Sequence, residues 1–256
     1  MSAPQLNVLV SGRTAPEAPV VVLSNSLGST VSMWDRQLSA FEERFRVVRY
    51  DIRGHGASDV SSGPYSIDDL ADDAVRVLDQ VGASSAHVVG LSLGGMTGMA
   101  LAAREPERVD RLVALCTAAH LAPTSAWRDR AALVRRSGTD AIAEAVVARW
   151  YTEPYRSSNP DVVAAAEATV TATSDEGYAG CCEAIAGMDL RGDLARIVAP
   201  TLAIAGADDP ATPPKFLAEI ADGVRDGTLL VVEHAAHLAN DEQPDTITNA
   251  ILEFLA

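Results

Sequence analysis

Cysteine is scarce in this chain of 256 residues, and its three cysteines fit neither a disulfide framework nor the spacing of a zinc site. Cys116 stands alone, whereas Cys181 and Cys182 are neighbours. We interpret the neighbouring pair as small buried residues of a helix rather than as a metal or redox site. This cysteine usage is typical of a protein from a reducing, cytoplasmic compartment.

Long apolar runs are missing as well. No stretch approaches the roughly 18 apolar residues of a membrane-spanning helix. The N-terminal stretch MSAPQLNVLV has no basic region followed by a long apolar segment, so we expect no signal peptide. Both absences predict a cytoplasmic protein.

Positive charge is in short supply, because 20 Lys and Arg residues stand against 35 Asp and Glu residues, for a net charge of -15. Nucleic acids and anionic membranes bind to positive surfaces, so we expect neither as a partner. An anionic small molecule would gain nothing from the overall field and would need arginines placed locally.

The chain does contain regular alternation of strand and helix patterns, within a length that fits one α/β domain with an insertion. Short β-branched runs bounded by turn residues predict strands at 20–24, 45–50, 86–90, 111–116, 201–206 and 228–233. Between them lie helical patterns, of which the clearest begins at Ser66, forms a capping box with Asp69 and stops at Gly82. This alternation predicts a mostly parallel sheet covered on both faces.

The alternation stops between residues 121 and 189, a segment rich in Ala, Arg and Glu without a strand-like run. We interpret it as a helical insertion, with residues 1–120 and 190–256 forming the α/β core. Ligands bind at the carboxyl ends of parallel strands. The insertion is therefore predicted to act as a lid, and an extra packing layer without a binding role is the alternative.

A candidate nucleophile, Ser92, stands in VVGLSLGGMTG at 88–98. Residues 90–94 match G-x-S-x-G, follow a predicted strand and precede a helical pattern. Small residues on both sides let such a sharp turn lift the serine hydroxyl clear, and the helix N-terminus favours negative charge nearby. Ser26, in LSNSLGST, also follows a strand but precedes no such helix start. We therefore predict Ser92 as the nucleophile, with a turn that merely packs as the alternative.

A nucleophilic serine needs a base, and the chain offers five histidines. His87 begins a strand and is expected to be structural, while His120 stands at the entrance to the insertion and could line a pocket. His55 belongs to a loop of turn residues. His234 and His237 both follow the last strand run. We predict His237, which lies farther along the loop and before a helix, and keep His234 as the alternative.

The base needs an orienting acid. Asp208 and Asp209 both end a predicted strand at the same edge of the sheet. The G-x-x-D spacing from Gly206 favours Asp209, and Pro210 fixes the loop beyond it. Asp208 stays open as the alternative.

The chain order of nucleophile, acid and histidine is that of α/β-hydrolases, and the chain resembles that superfamily over its whole length. The resemblance implies the α/β-hydrolase fold, with a mostly parallel, doubly covered sheet and an inserted helical lid. The stretch DIRGHGASD at 51–59 resembles the D-x-R-G-x-G-x-S loop of the superfamily. His55 is therefore expected to shape a loop rather than transfer protons.

Within the superfamily, several stretches are similar to the 3-oxoadipate enol-lactonases of the β-ketoadipate pathway, which serves aromatic catabolism. They are LSNSLGST (23–30), MWDRQ (33–37), GLSLGGM (90–96), WRDR (127–130), ARWYTEP (148–154), IAGADDPATPP (204–214) and HAAHLANDEQP (234–244). Some of these motifs are shared with other lid-bearing hydrolases, including cofactor-free haloperoxidase-like proteins. SNSLG, MWD and RWYTEP are the more discriminating ones.

The resemblance implies hydrolysis of 3-oxoadipate enol-lactone without a metal or other cofactor. Ser92, deprotonated by His237, would attack the lactone carbonyl, and water would then hydrolyse the acyl-enzyme. Asp209 would hold the imidazole tautomer. The implied oxyanion donors are the N–H groups of Leu93 and, in the loop that carries SNSLG, of Leu27. Asn25 and Ser26 are expected to fix that loop through side-chain hydrogen bonds.

The implied substrate is a small anionic lactone, and an acidic protein must supply a cation for its carboxylate. We predict Arg130 as the carboxylate clamp, with Arg149 as the alternative. Trp127, three residues before Arg130 on one helical face, and Trp150 are predicted as pocket walls. Solvated arginines and aromatic packing between helices are the competing interpretation. The oligomeric state is left open, a homo-oligomer included.

The same triad also serves other enzymes, so a carboxylesterase, a carbon–carbon hydrolase or a perhydrolase is the main alternative function. A non-catalytic ligand receptor on this fold is a more distant one. Haloalkane dehalogenases and soluble epoxide hydrolases are disfavoured, because they place an aspartate where Ser92 stands.

Overall fold

A computed structural model describes residues 3–256, and seven strands in this part of the chain form one sheet in the order β1-β3-β2-β4-β5-β6-β7. The strands are β1 (Val8–Gly12), β2 (Val20–Ser24), β3 (Arg46–Tyr50), β4 (Ala86–Leu91), β5 (Val109–Leu115), β6 (Thr201–Gly206) and β7 (Gly227–Val232). Strand β1 pairs antiparallel with β3, and all other neighbouring pairs are parallel. The mostly parallel sheet predicted from the sequence is confirmed.

The sequence patterns missed β1, which lies at the edge of the sheet. Its apolar run is only Val8, Leu9 and Val10 before Ser11 and Gly12, which is shorter than the usual strand pattern of about four or more residues. In the structure Leu9 and Val10 are 41% and 48% exposed. The six predicted strands are confirmed, with ends that differ by at most two residues. Strand β6 is buried at every position, as a central strand covered on both faces should be.

Helices cover the sheet and form the insertion. They are α1 (Asp35–Glu42), α2 (Ile67–Gln80), α3 (Leu93–Arg104), α4 (Thr124–Ser137), α5 (Ala143–Val147), α6 (Glu153–Ser158), α7 (Pro160–Ala172), α8 (Asp175–Gly187), α9 (Pro214–Gly223), α10 (Ala239–Glu242) and α11 (Pro244–Phe254). Helix α2 begins at the predicted capping box. The Ser66 hydroxyl accepts from the Asp69 N–H at 3.1 Å, and the Asp69 carboxylate accepts from the Ser66 N–H at 2.8 Å.

The segment between β5 and β6 contains α4 to α8, where the sequence predicts a helical insertion. Helix α4 packs on α8. The two ends of the insertion meet, because the Leu190 N–H donates to the Ala119 carbonyl at 2.8 Å and His120 forms a bridge with Asp189. The insertion thus leaves and re-enters the core at one place beside the sheet, and its role as a lid stays a prediction. Residues 1 and 2 of the predicted core segment lie outside the described residues.

The structure also bears on two of the expected absences. No helix of residues 3–256 combines the length and the apolar character needed to cross a membrane. The three cysteines are buried free thiols, and Cys181 and Cys182 lie in α8, as predicted.

Candidate active site

Ser92 lies in the turn between β4 and α3, with φ of 55° and ψ of -114°. This positive φ is strained for a residue with a side chain. Hydrogen bonds hold the turn, since the Ser92 N–H donates to the Leu115 carbonyl at 2.9 Å and the Ser92 carbonyl accepts from the Thr117 hydroxyl at 2.7 Å. A sharp strand-to-helix turn of this kind presents the serine hydroxyl at the edge of the sheet.

Gly90 and Gly94, the two glycines that flank Ser92, are required by the close approach of the backbone. A Cβ atom at Gly90 would lie 2.2 Å from the Gly94 carbonyl oxygen, and one at Gly94 would lie 2.1 Å from the Ser24 carbonyl oxygen. Side chains at either position would collide with backbone atoms that cannot move independently. The G-x-S-x-G pattern therefore reflects the space that this turn needs against β2.

His237 follows β7, and its Nδ1 atom lies 2.8 Å from Oδ2 of Asp209, which follows β6. The Thr212 hydroxyl donates to the same Asp209 oxygen at 2.7 Å. The N–H groups of Ala211 and Thr212 donate to Asp209 Oδ1 at 2.8 and 3.1 Å. Because the carboxylate accepts from Nδ1, that nitrogen carries the proton and Nε2 is left able to accept one. His237 lines the same cavity as Ser92.

The environment of Asp209 keeps it ionised. Burial favours its neutral form, but the neighbouring His237 and the hydrogen bonds from His237 and Thr212 outweigh that effect. The pKa of Asp209 therefore lies below its ordinary value. An anion at this position fixes the imidazole tautomer and can stabilise an imidazolium.

The alternatives His234 and Asp208 lie elsewhere. Both are exposed, and neither lines the cavity that Ser92 and His237 share. Instead, both line a separate surface depression beside α6. The geometry therefore favours His237 and Asp209 over their neighbours.

Two further histidines hold structural positions. His120 does not line the cavity, and its Nδ1 atom lies 3.0 Å from the Met188 carbonyl oxygen at the base of the insertion. The His87 ring packs edge-on against Phe45, with ring centroids 5.8 Å apart. His87 thus has the structural surroundings expected from its place in a strand.

The loop after β2 is held by buried polar contacts. Asn25 donates from Nδ2 to the Tyr50 carbonyl at 2.9 Å and accepts from Trp34 Nε1 at 3.0 Å. It therefore fixes the loop as expected, whereas the Ser26 hydroxyl makes no hydrogen bond to another part of residues 3–256. The Gly28 backbone adopts a φ of 79°, a left-handed conformation that favours glycine.

His55 supports this loop from below. The Gly28 N–H donates to His55 Nε2 at 3.0 Å, and Nδ1 lies 3.2 Å from the Arg53 carbonyl oxygen. Burial lowers the pKa of His55 to about 4, so the ring is neutral at physiological pH and Nε2 can accept. His55 thus shapes a loop, as its motif implies.

The N–H groups of the two predicted oxyanion donors are not used by the hydrogen bonds of the fold. Among the hydrogen bonds of residues 3–256, none comes from the N–H of Leu27 or from that of Leu93. Leu93 is the first residue of α3, and N–H groups in the first turn of a helix have no partner within it. Leu27 lines the cavity directly.

A cavity of about 240 Å³ lies between the sheet edge and the insertion. It is lined by seven of the nine predicted site residues, namely Leu27, Ser92, Trp127, Arg130, Arg149, Trp150 and His237. The other two do not line it: Asp209 bonds to His237, and Leu93 is the residue after Ser92. The Arg130 guanidinium lies 4.5 Å from the centroid of the Trp127 ring, which confirms that both side chains share one face of α4.

The two arginines of the cavity have no counter-ion. Neither Arg130 nor Arg149 forms a salt bridge within residues 3–256. Burial and the positive charge of Arg130 lower the pKa of Arg149. Two neighbouring cations without a carboxylate partner are typical of a site that binds an anion.

Three residues of this region were not predicted from the sequence. Thr212 had a signal, because an Asp whose side chain accepts from backbone N–H groups two and three residues on is a recognised turn pattern. Tyr178 in α8 and Glu242 in α10 had none, since their contacts depend on how the insertion packs on the core. Within the described part of the chain, no group of three or more His, Cys, Asp or Glu side chains could hold a metal ion.

The fold and the arrangement of Ser92, His237 and Asp209 are those of an α/β-hydrolase. The family described as alpha/beta hydrolase fold matches residues 19–244. The chain therefore belongs to the α/β-hydrolase family and is a hydrolase.

Known relatives narrow the family further. The chain is 40% identical over 235 residues to 3-oxoadipate enol-lactonase 2 from Acinetobacter baylyi, which covers 92% of this chain and 88% of that protein. The crystal structure of the enol-lactonase from Burkholderia xenovorans LB400 superposes with a TM-score of 0.94 at 40% identity, over 98% and 96% of the two chains. RutD from Agrobacterium fabrum, to which carbamate hydrolysis is ascribed, is 30% identical over 254 residues, 96% of each chain. The resemblance to enol-lactonases is confirmed.

Proposed function

We propose that this chain is a serine hydrolase that opens 3-oxoadipate enol-lactone to 3-oxoadipate, in the β-ketoadipate pathway of aromatic catabolism. The observation that carries the proposal is the pair Arg130 and Arg149, which line the cavity of Ser92 and His237 without a counter-ion. A neutral ester would leave both cations unpaired. A lactone with a carboxylate beside its ring would pair with them while its carbonyl faces Ser92. The similarity to proteins named enol-lactonases supports the same substrate.

In the first half of the reaction, His237 takes the Ser92 proton at Nε2 as the serine oxygen attacks the lactone carbonyl. The N–H groups of Leu27 and Leu93 stabilise the resulting oxyanion, and losing one donor of this kind costs about 2.7–4 kcal/mol in a hydrolase. The ring carbon–oxygen bond then breaks, and the imidazolium returns the proton to the leaving enol oxygen. The enol relaxes to a ketone, which makes ring opening hard to reverse.

In the second half, His237 takes a proton from water as its oxygen attacks the acyl carbonyl. The bond to Ser92 breaks, the serine recovers its proton from the imidazolium, and 3-oxoadipate is released. Asp209 stays ionised throughout and holds the imidazole in place. These steps use side-chain and backbone groups of the chain alone.

We also propose the binding partner of the protein, the role of its insertion and its place in the cell. The partner is a small anionic lactone, and the helical insertion serves as the lid over the cavity that binds it. We place the enzyme in the cytoplasm, where intermediates of catabolism are produced. The oligomeric state is left to measurement.

The test is incubation of the purified protein with the enol-lactone, followed by the loss of its ultraviolet absorbance. Ser92→Ala should abolish turnover. Arg130→Ala should raise KM for the lactone by about 10- to 100-fold, the range expected for hydrogen bonds to a charged group, and should leave hydrolysis of neutral p-nitrophenyl acetate unchanged. Arg128→Ala, at an exposed position of the same helix, is the matched control.

The outcomes separate the alternatives. Turnover of p-nitrophenyl acetate without turnover of the lactone would favour a general carboxylesterase, and equal loss on both substrates in Arg130→Ala would exclude the carboxylate clamp. Preference for a carbamate would favour the activity ascribed to RutD. An inactive protein that binds the lactone would favour a ligand receptor.

A further inference from the structure

The hydroxyl of Tyr178 is buried, and although the Arg130 guanidinium lies near enough to donate to its oxygen, its proton has no acceptor within residues 3–256. Buried polar groups are nearly always hydrogen-bonded, and an unpaired one costs free energy. Tyr178 also lines the cavity of Ser92 and His237. An unpaired hydroxyl at that place indicates that a ligand supplies its partner.

The position of the Tyr178 ring is fixed by its neighbours. A Cβ atom at Gly28 would lie 3.1 Å from the ring, and Val170 packs at the same place. The Tyr178 N–H donates to the Ser174 carbonyl at 2.8 Å in the first turn of α8. The ring therefore lies against the loop that carries the Leu27 N–H, and its hydroxyl has little freedom to find another partner.

The charges around the Tyr178 hydroxyl determine what it can do. Burial raises its pKa, and the nearby Arg130 and Arg149 oppose that effect only in part, so the hydroxyl stays protonated. Arginine has no acceptor atom, so neither guanidinium can receive the hydroxyl proton. The proton must therefore go to an acceptor that is not an arginine, and an anion bound by the two arginines of the same cavity would supply one.

We propose that the Tyr178 hydroxyl donates a hydrogen bond to the carboxylate of the substrate and forms, with Arg130 and Arg149, one anion site with three donor side chains. This inference rests on the proposed function for the identity of the substrate, but the site itself requires only a carboxylate. A neutral ligand would leave the buried donors of this site unpaired, and a site of this kind discriminates strongly against such a ligand. Tyr178 thus contributes to the preference for an acid-bearing lactone over a neutral one.

Tyr178→Phe removes the hydroxyl and keeps the ring against Gly28. We expect KM for the anionic lactone to rise about 10- to 100-fold, as for a hydrogen bond to a charged group, with kcat nearly unchanged and hydrolysis of p-nitrophenyl acetate unaffected. The rise should be the same at pH 6 and pH 9, because the hydroxyl does not ionise there. Tyr65→Phe is the matched control, since Tyr65 is a buried tyrosine whose hydroxyl bonds to the Ser61 carbonyl outside the cavity.

A calorimetric titration separates this inference from the proposed function. Monomethyl glutarate and dimethyl glutarate, which differ by one charge, are titrated into Ser92→Ala with Tyr178 intact and into Ser92→Ala with Tyr178→Phe. A loss of affinity of at least 10-fold for the monoester alone supports the anion site, even if the enol-lactone proves not to be turned over. Unchanged affinity for the monoester, or an equal loss for both esters, would overturn it. A fall in kcat on neutral and anionic substrates alike would also overturn it, because the hydroxyl would then act on the ester group.

Discussion

Replacing His55 by glutamine should flatten the dependence of the free energy of unfolding on pH. In the folded protein His55 is fully buried and its pKa is lowered to about 4, from an ordinary value of 6.5. Between these two values the unfolded chain binds a proton that the folded chain does not. Stability therefore rises with pH across this window and is lost as the pH falls below about 6.5.

The size of this effect follows from the two pKa values. One pKa unit corresponds to about 1.4 kcal/mol, so the full difference would amount to about 3 kcal/mol at a pH below 4. At pH 5 the unfolded imidazole is mostly charged and the folded one mostly neutral, which gives a loss of about 2 kcal/mol relative to pH 7.5. Glutamine does not titrate, and its amide oxygen can accept the Gly28 N–H in place of Nε2.

Urea unfolding of the wild type and of His55→Gln at pH 5.0 and 7.5, followed by tryptophan fluorescence, measures the difference. The wild type should lose about 2 kcal/mol more than the variant between the two pH values, because all other groups titrate alike in both proteins. The variant should also be less stable than the wild type at pH 7.5, where the neutral imidazole fits its buried site. Equal losses in the two proteins would refute the neutral, loop-supporting role of His55.

Two further predictions concern the contacts between the insertion and the core. Glu242 accepts from the Ala236 N–H at 2.7 Å and from the Thr152 N–H at 2.9 Å. Because Ala236 directly precedes His237, Glu242→Gln should lower kcat, and the lost acceptor should reduce the free energy of unfolding by about 2 kcal/mol. Glu233→Gln at an exposed position is its control, and an unchanged kcat in Glu242→Gln would contradict the argument. Trp150 lies between the cavity of about 240 Å³ and a second one of about 190 Å³. Trp150→Ala should join the two spaces and so raise kcat/KM for p-nitrophenyl hexanoate relative to the acetate. The same change should reduce the free energy of unfolding by roughly 3–5 kcal/mol. An unchanged chain-length preference would show that the two spaces do not join.

The fold could be predicted where the sequence pattern is local. The six predicted strands and the capping box of α2 follow from runs of adjacent residues, and G-x-S-x-G is recognised by its spacing along the chain, although Gly94 is required by the approach of Ser24 in β2. The edge strand β1 was missed because its apolar run of three residues is shorter than the usual strand pattern. The helices of the insertion could be expected, but their arrangement depends on packing between α4 and α8.

The residues of the candidate site that follow strands could be predicted from the sequence, whereas those of the insertion were harder to predict. Ser92, Asp209 and His237 follow β4, β6 and β7, so the order of strands and the parallel sheet bring them to one edge. Tyr178 lines the same cavity, but it comes from a helix of the insertion. The place of Tyr178 beside the cavity is set by long-range packing, which no spacing along the chain encodes.

The charge distribution of the protein affects the binding of the proposed substrate and the binding of its product differently. Hydrolysis turns a lactone with one carboxylate into a product with two, and the protein carries a net charge of -15. Coulomb repulsion from the whole chain acts about twice as strongly on the dianion as on the monoanion, whereas the arginines of the cavity act on whichever carboxylate lies beside them. In the proposed reaction, local arginines would therefore provide the affinity for the substrate, and the surrounding acidic residues would weaken the binding of the product. An acidic protein is in this respect well suited to a reaction that creates negative charge, because the repulsion that hinders substrate entry favours product release.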